Sequence, residues 1–321
     1  MARIIDVARL AGVSTATVSR VLNDSAVRPE LAEAVHRAVK ELGYSPDRSA
    51  RTLRRRHSEV IALLLPDIEN PFFTSVARGV EDVAQRSGLS VVLCNTDDDP
   101  AKESRYLQIA RSENMAGVIL APATGEPELE PLLSQVRAVV AVDRRVSAPV
   151  DQVTFDNIEL GRVGTQALLT RGFRRVACVT GPVSASTAVD RAIGWREALE
   201  LADAPVHPEL LRHADFHVEG GYREMVELLH VSSPPDAVLA ANNLVGVGAL
   251  RALAEADSRH PALAVIGDLP FATGTPADLM LVRLHPRRMG VHAAQMLMER
   301  VGGLQGPPRH LVLEAETDIS V

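Results

Sequence analysis

Residues 4–23 read IIDVARLAGVSTATVSRVLN, two short helical patterns split by a tight turn. Val7, Ala8 and Ala11 recur at helical spacing before the break, and Val18, Val21 and Leu22 repeat the pattern after it. Gly12 falls where the chain must reverse, and glycine accepts a left-handed backbone without steric penalty. Ser14 stands where the second helix needs an N-cap. With its apolar side turned inward, that helix presents Thr15, Ala16, Ser19, Arg20 and Asn23 outward. Short hydrogen-bonding side chains around one arginine suit a helix that enters the DNA major groove. The stretch predicts a helix-turn-helix.

Downstream, Pro29 suits the first turn of a third helix. Leu31, Val35, Ala38, Val39 and Leu42 form its stripe, and Gly43 closes it. Residues 1–46 are therefore expected to form a three-helix DNA-binding domain. Residues 47–58 follow as a linker that begins DRSARTLRRR, strongly basic and with Leu53 alone among arginines. From residue 59 the texture changes. VIALLLP, SVVLCN, GVILAP, AVVAVD, RVACVTG, DAVLAAN and ALAVIGD are short apolar runs that alternate with helical stretches. Such alternation predicts an α/β fold of doubly wound parallel sheets. There are too many units for one sheet, so residues 59–321 are expected to form two similar lobes around a cleft. Ligands bind such sheets at the carboxyl ends of their strands.

Charge is partitioned along the chain. The net −7 of the 321 residues divides into +5 over residues 1–58 and −12 over the rest. A basic amino end carrying a helix-turn-helix fits a nucleic-acid partner. No apolar run approaches the length of a membrane span, and the start lacks a signal-peptide core. Cys94 and Cys178 sit far apart in apolar runs, as buried free thiols in a reducing compartment would. A cytoplasmic chain with no membrane partner is expected. No G-x-S-x-G elbow, phosphate-binding Walker loop or metal-spaced His/Cys cluster is present. His285 lies beside Pro286, where a structural role is expected. An enzyme is therefore not expected, and neither a metal nor a cofactor is called for.

Four segments in order, DVARLAGVSTATVSRVLN, ELGYSPDRSARTLR, PDIENPFF and AVIGD, resemble the lactose-repressor/galactose-repressor family of bacterial transcription regulators. The resemblance covers essentially the whole chain. It implies a helix-turn-helix head, a hinge that becomes helical on operator DNA, and a two-lobed type I domain similar to periplasmic sugar-binding proteins. It also implies a homodimer, in some members a tetramer, on a palindromic double-stranded operator, with a small-molecule effector setting the DNA affinity. Lobe crossings are implied near residues 157–161, near 282–286 and at the carboxyl end.

Carried over by position, the resemblance assigns base reading to Thr15, Ala16 and Arg20. Arginine is the natural partner of guanine, a pair worth about 1–3 kcal/mol of discrimination. Ser14, Thr17 and Asn23 would contact phosphate, with helix capping as their alternative role. Leu53 would wedge into the minor groove, while Arg51 and Arg54 attract phosphate. Arg3 stands where the family often has a capping Thr, which weakens that cap.

Several positions match the sugar-contacting set of the ribose-binding branch: Asn70, Phe72, Phe73, Asp143, Arg144, Arg191, Phe216, Asn242 and Asp268. Aromatic faces pack on a sugar ring's C–H surfaces, while Asp, Asn and Arg bond its hydroxyls. Two departures qualify the match. Leu284 falls where sugar-binding relatives often have Gln, and VIGDLPF is shorter than the usual run. The expectation is a repressor-type regulator controlled by a monosaccharide such as ribose. The alternatives are a sugar-binding protein or an α/β enzyme with no role in gene regulation.

Overall fold

Three apolar stripes, each too narrow to be buried alone, close on one another at the amino end. In this computed structural model, which describes residues 2–22, 27–44, 58–135, 138–256, 261–269 and 279–318, they belong to α1 (Ile4–Ala11), α2 (Thr15–Val21) and α3 (Pro29–Leu42). Val7, Val18 and Val35 are fully buried where the helices meet. Gly12 and Gly43 take φ of 67° and 56° to end α1 and α3, the left-handed values that favour glycine. Ser14 caps α2, its Oγ accepting the Thr17 N–H at 3.1 Å. Arg3 offers α1 no acceptor, but the Asp6 carboxylate accepts the Arg3 N–H at 2.9 Å and recovers half of a capping box. Leu31, expected inside, is exposed. Val35, Ala38, Val39 and Leu42 of the expected stripe do face inward, and Ala32 takes the first-turn place expected of Leu31. Asn23, Arg51, Leu53, Arg54 and residues 47–57 of the expected hinge lie outside the described residues.

The chain divides into Met1–Ser58 and Glu59–Val321. The second unit holds two six-stranded sheets. The first comprises β1 (Val60–Leu65), β2 (Ser90–Asn95), β3 (Gly117–Leu120), β4 (Ala138–Val142), β5 (Asp151–Phe155) and β11 (His310–Leu313), in the order β11-β5-β4-β3-β1-β2 and parallel throughout. The second comprises β6 (Val176–Thr180), β7 (Leu211–His213), β8 (Ala237–Ala240), β9 (Ala262–Ile266), β10 (Leu279–Arg283) and β12 (Glu316–Asp318). Its order is β12-β10-β9-β8-β6-β7, and β12 alone runs antiparallel, at the edge.

Helices α4 (Pro71–Arg86), α5 (Pro100–Ser112), the one-turn α6 (Glu130–Leu133) and α11 (Pro286–Val301) belong with the first sheet. With the second go α7 (Asn157–Thr170), α8 (Ser186–Leu201), α9 (Val218–His230) and α10 (Asn243–Glu255). The chain passes between the lobes after β5, after β10 and after β11. Helices pair backbone to backbone through reciprocal glycines. A Cβ on Gly79 would lie 2.2 Å from the Arg287 carbonyl, and one on Gly290 2.1 Å from that of Val76, so α4 and α11 can cross closely only without side chains there. No described helix is long and apolar enough to cross a membrane. Cys94 and Cys178 are free and buried, and burial pushes the Cys178 thiol up to about 12.

Asp151, at the start of β5, is nearly inaccessible and ties three parts of the first lobe together. Its carboxylate accepts from Arg300 Nη2 at the end of α11 and from Arg309 Nη2 and N–H before β11, each at 2.8 Å. Burial opposes its charge, but the hydrogen bonds from Arg300 and Arg309 outweigh it and hold the pKa at about 2, against an ordinary 3.8. A depressed carboxyl contributes stability above its unfolded pKa and loses it as pH falls through the folded one. The window is therefore from about pH 4 down to about pH 2, and the contribution at neutral pH is on the order of 2 kcal/mol. Asp151→Asn should lower the melting temperature at pH 7 by roughly 4–8 °C. The variant should also lose less stability than the parent between pH 4 and 2. Thermal melts by circular dichroism across that range check both, and parallel pH curves would remove Asp151 from the account.

Candidate functional site

The carboxyl ends of both sheets face one cleft of about 1060 Å³ between the lobes. All nine residues expected at the effector site line it: Asn70, Phe72, Phe73, Asp143, Arg144, Arg191, Phe216, Asn242 and Asp268. Local structure explains their placement. Asn70 N-caps α4, its Oδ1 accepting the Phe72 N–H at 3.0 Å, and Pro71 fixes the first turn. Phe72 and Phe73 then meet edge to face, with ring centres 5.1 Å apart. Asn242 caps α10 by accepting the Val245 N–H at 2.7 Å. Gly181, at the end of β6, leaves room for the Phe216 ring, which a Cβ there would strike at 2.3 Å.

Charge is concentrated at Asp143, Arg144 and Arg191, each no more than 7% exposed. Asp143 adopts φ of +65°, a strained setting for a non-glycine residue that turns the chain sharply after β4. Burial raises its carboxyl above the ordinary value, with Arg144 and Arg191 acting in the opposite sense. Arg144 makes a bidentate pair with Asp98, through Nη1 to Oδ1 and through Nη2 to Oδ2 at 3.1 Å. Its Nη1 also donates to the Pro122 carbonyl at 3.1 Å. Burial works against the Arg144 charge, but Asp98 more than compensates and raises its pKa.

Arg191 differs. Its Nε donates to Asn157 Oδ1 at 2.9 Å and its Nη1 to the Ala241 carbonyl at 2.5 Å, both neutral acceptors. Burial lowers its pKa, against the attraction of Asp143. A desolvated guanidinium held by neutral partners retains a strong demand for further acceptors.

Asn157, Asn243, Thr187 and Asp98 were not singled out from the sequence. Asn243 donates from Nδ2 to Asn70 Oδ1 at 3.0 Å and so bridges the lobes within the cleft. A second bridge, Arg145 Nη2 to Asp190 Oδ2, measures 2.7 Å. Asn243 directly follows the expected Asn242, and capping logic alone does not separate the two. Asp98 sits in the run TDDDP, which reads as solvated loop until the fold carries it to Arg144. Leu284 lines the cleft and is buried, an apolar wall where the sequence pattern had lost a hydroxyl partner. Among the described residues, no group of three or more His, Cys, Asp or Glu could hold a metal ion.

In the first unit, Thr15, Ala16 and Arg20 are exposed on α2. Ser14 and Thr17 are engaged with each other, Oγ to Oγ1 at 3.0 Å, which favours the capping role for both. Thr15, Ala16 and Arg20 are the described residues expected at the DNA that stay exposed.

Residues 58–310 match the model for periplasmic binding proteins and the sugar-binding domain of the LacI family, and residues 3–47 that for bacterial regulatory proteins of the lacI family. The chain is 39% identical over 306 residues to the ribose operon repressor of Halalkalibacterium halodurans, covering 94% of this chain and 91% of that one. It is similar to the solved transcriptional regulator CelR–cellobiose complex, with TM-score 0.73, 32% identity and 98% of each chain covered. A LacI-family regulator from Enterococcus faecium with bound ribose aligns at TM-score 0.72 and 25% identity, over 81% of this chain and 96% of that one.

The Asn70–Asn243 bridge makes the cleft's resting closure testable. A neutral hydrogen bond contributes about 1 kcal/mol net, so Asn243→Ala should raise the population of open cleft about fivefold. Hydrogen–deuterium exchange should then quicken at residues 66–73 and 241–245 and stay unchanged around β4 and β5. Unaltered exchange at both segments would mean the bridge carries no closure energy.

Proposed function

The chain belongs to the lacI family of bacterial regulatory proteins, and from that membership we propose a transcriptional repressor whose hold on a palindromic operator is set by a monosaccharide, ribose or a close relative, in the cleft. The observation that carries the reading is the convergence of aromatic, amide and buried charged side chains from both lobes on one cavity. Phe72 and Phe216 supply faces for a sugar ring, while Asp143, Arg144, Arg191 and Asn242 supply hydroxyl partners. The ribose operon repressor and the ribose-bound regulator among its relatives favour a pentose. The protein is a DNA-binding regulator and not an enzyme.

Arg20 is the base-reading cation of α2, flanked by Thr15 and Ala16. Ser14 and Thr17 hold the helix start against the phosphates, and Asn23, Arg51, Leu53 and Arg54 extend the contact. Residues 1–46 are the reading head, 47–58 the hinge and 59–321 the effector and dimerisation domain. Effector-driven movement of the lobes acts on the reading heads through this hinge. A palindromic site requires two heads, and β2 offers a pairing surface. It is the outermost strand of its sheet, with Val92 and Leu93 41% and 46% exposed. An apolar edge strand with unpaired backbone groups is a template for a second copy. Action on chromosomal operators places the protein in the cytoplasm.

D-Ribose and related sugars titrated into an operator-binding assay should change DNA affinity by about 5–150-fold. No response to any sugar would sink the effector assignment. Arg191→Ala should abolish the sugar-dependent rise in melting temperature and leave operator binding nearly intact. Arg20→Ala should do the reverse, weakening operator binding by about 5–150-fold through loss of a guanine contact. Leu93→Lys should convert the dimer to a monomer in light scattering. A variant that remains dimeric would move the interface away from β2.

A further inference from the structure

The cleft is rich in charge but poor in available cations. Among its described lining residues are seven carboxylates, three guanidiniums and His217, which lies 3.9 Å from Asp67. Two of the three guanidiniums are already matched from within their own lobe. Arg144 is held bidentately by Asp98, and Arg283 Nη1 donates to Asp268 Oδ1 at 2.7 Å. The third, Arg191, is bonded to neutral acceptors, but Asp143 and Asp190 both lie within its electrostatic reach.

Helix N-termini at the cleft are the obvious counterweight, because such ends attract anions. Two of them are capped from a side chain: Asn70 takes the Phe72 N–H of α4 and Asn242 takes the Val245 N–H of α10. α8, α9 and α11 start without a side-chain cap, but carboxylates stand beside the first two, Asp190 next to Arg191 on α8 and Asp215 and Glu219 at the start of α9.

We propose that this cleft is built to exclude anionic ligands: it takes an uncharged polyol and rejects the phosphorylated form of the same sugar, with Asp98 and Asp268 as the residues that set this selectivity. The proposal rests on the reading of the cleft as the polyol site and adds the charge class of its occupant. At Arg191 an incoming phosphate would meet Asp143 and Asp190, and to reach a second guanidinium it would have to displace Asp98 from Arg144 or Asp268 from Arg283. A hydroxyl group needs neither displacement, because it can donate to a carboxylate and accept from Arg191 without changing the balance of charge. Asp98 is well placed as a filter. It stands on a loop where both Asp97 and Asp98 hold positive φ, 54° and 53°, a backbone cost that holds the carboxylate toward Arg144.

The test compares D-ribose with D-ribose 5-phosphate, and D-glucose with D-glucose 6-phosphate, by calorimetry on the full chain. The neutral member of the binding pair should be at least about tenfold tighter. Raising salt from about 50 mM to about 0.5 M should leave the neutral sugar unchanged and tighten the phosphate, because screening relieves a repulsion. Asp98→Asn unmasks Arg144 and should narrow the ratio at least about fivefold. Asp268→Asn, which loosens the pair with Arg283 on the other lobe, should narrow the ratio in the same direction and serves if the first variant does not fold. A phosphate that binds as tightly as its parent sugar, or that weakens with salt, overturns the proposal while the polyol site stands. A ratio untouched by either substitution overturns the assignment to Asp98 and Asp268. If no sugar of either kind binds, the polyol site falls and the selectivity falls with it.

Discussion

A guanidinium with almost no access to water sets the terms for the second unit. Arg191 is 5% exposed, and such a charge persists in a protein interior only where acceptors are arranged around it in advance. One acceptor is Asn157, the first residue of α7, where the chain has just crossed from β5 to the other lobe. Another is the Ala241 carbonyl, just beyond the end of β8. Its attraction to Asp143 reaches back to the turn after β4. A single side chain thus links the lobe crossing to the strand ends of both sheets. Its own helix, α8, is seated by glycines. A Cβ on Gly194 would lie 1.9 Å from the Ile158 carbonyl, and one on Gly161 2.1 Å from that of Arg191 itself. The close crossing of α7 and α8 is what brings Arg191 to Asn157.

The same economy recurs around the cleft. Residues that cap helices also face the cavity, because in a parallel α/β sheet the strand end, the helix start and the ligand crevice coincide. Asn70 satisfies the start of α4 and at the same time accepts from Asn243 across the cleft. A ligand that competes for either amide therefore acts on helix ends and on lobe closure together. Coupling of binding to movement needs no separate device beyond these shared side chains.

Much of this was legible in the sequence, for identifiable reasons. Strands buried on both faces, such as VIALLL of β1 and VACVT of β6, announce themselves as continuous apolar runs. The polar-bearing DQVTF of β5 and the alternating HLVL of β11 do not, because they lie toward one edge of the first sheet and β11 exposes alternate residues. Eight of the nine cleft residues stand at or just beyond a strand end or at a helix start, positions that pattern and resemblance both mark, while Arg191, in the second turn of α8, is marked by resemblance alone. Asp98 is marked by neither. Its partner lies 46 residues away, and in TDDDP three acids in a row look like solvated loop. Leu31 shows the complementary limit: the stripe predicts the helix and its inward Val35, Ala38, Val39 and Leu42, but in the first turn Ala32 packs inward instead of Leu31.

Distribution of charge gives the two units different relations to DNA. A net +5 over residues 1–58 supplies the salt-dependent attraction that any phosphate backbone rewards, while −12 over residues 59–321 opposes non-specific adhesion by the larger unit. Affinity for DNA is thereby confined to the smaller unit. Leverage follows from that confinement. If the effector unit also adhered to DNA, a coupling energy of about 1–3 kcal/mol would be lost against a large constant attraction. With repulsion in its place, a coupling energy of that size is not swamped. The acidic bias of the cleft is part of this charge: carboxylates such as Asp98 and Asp268, which mask its arginines, also add to the field that keeps the effector unit off the nucleic acid.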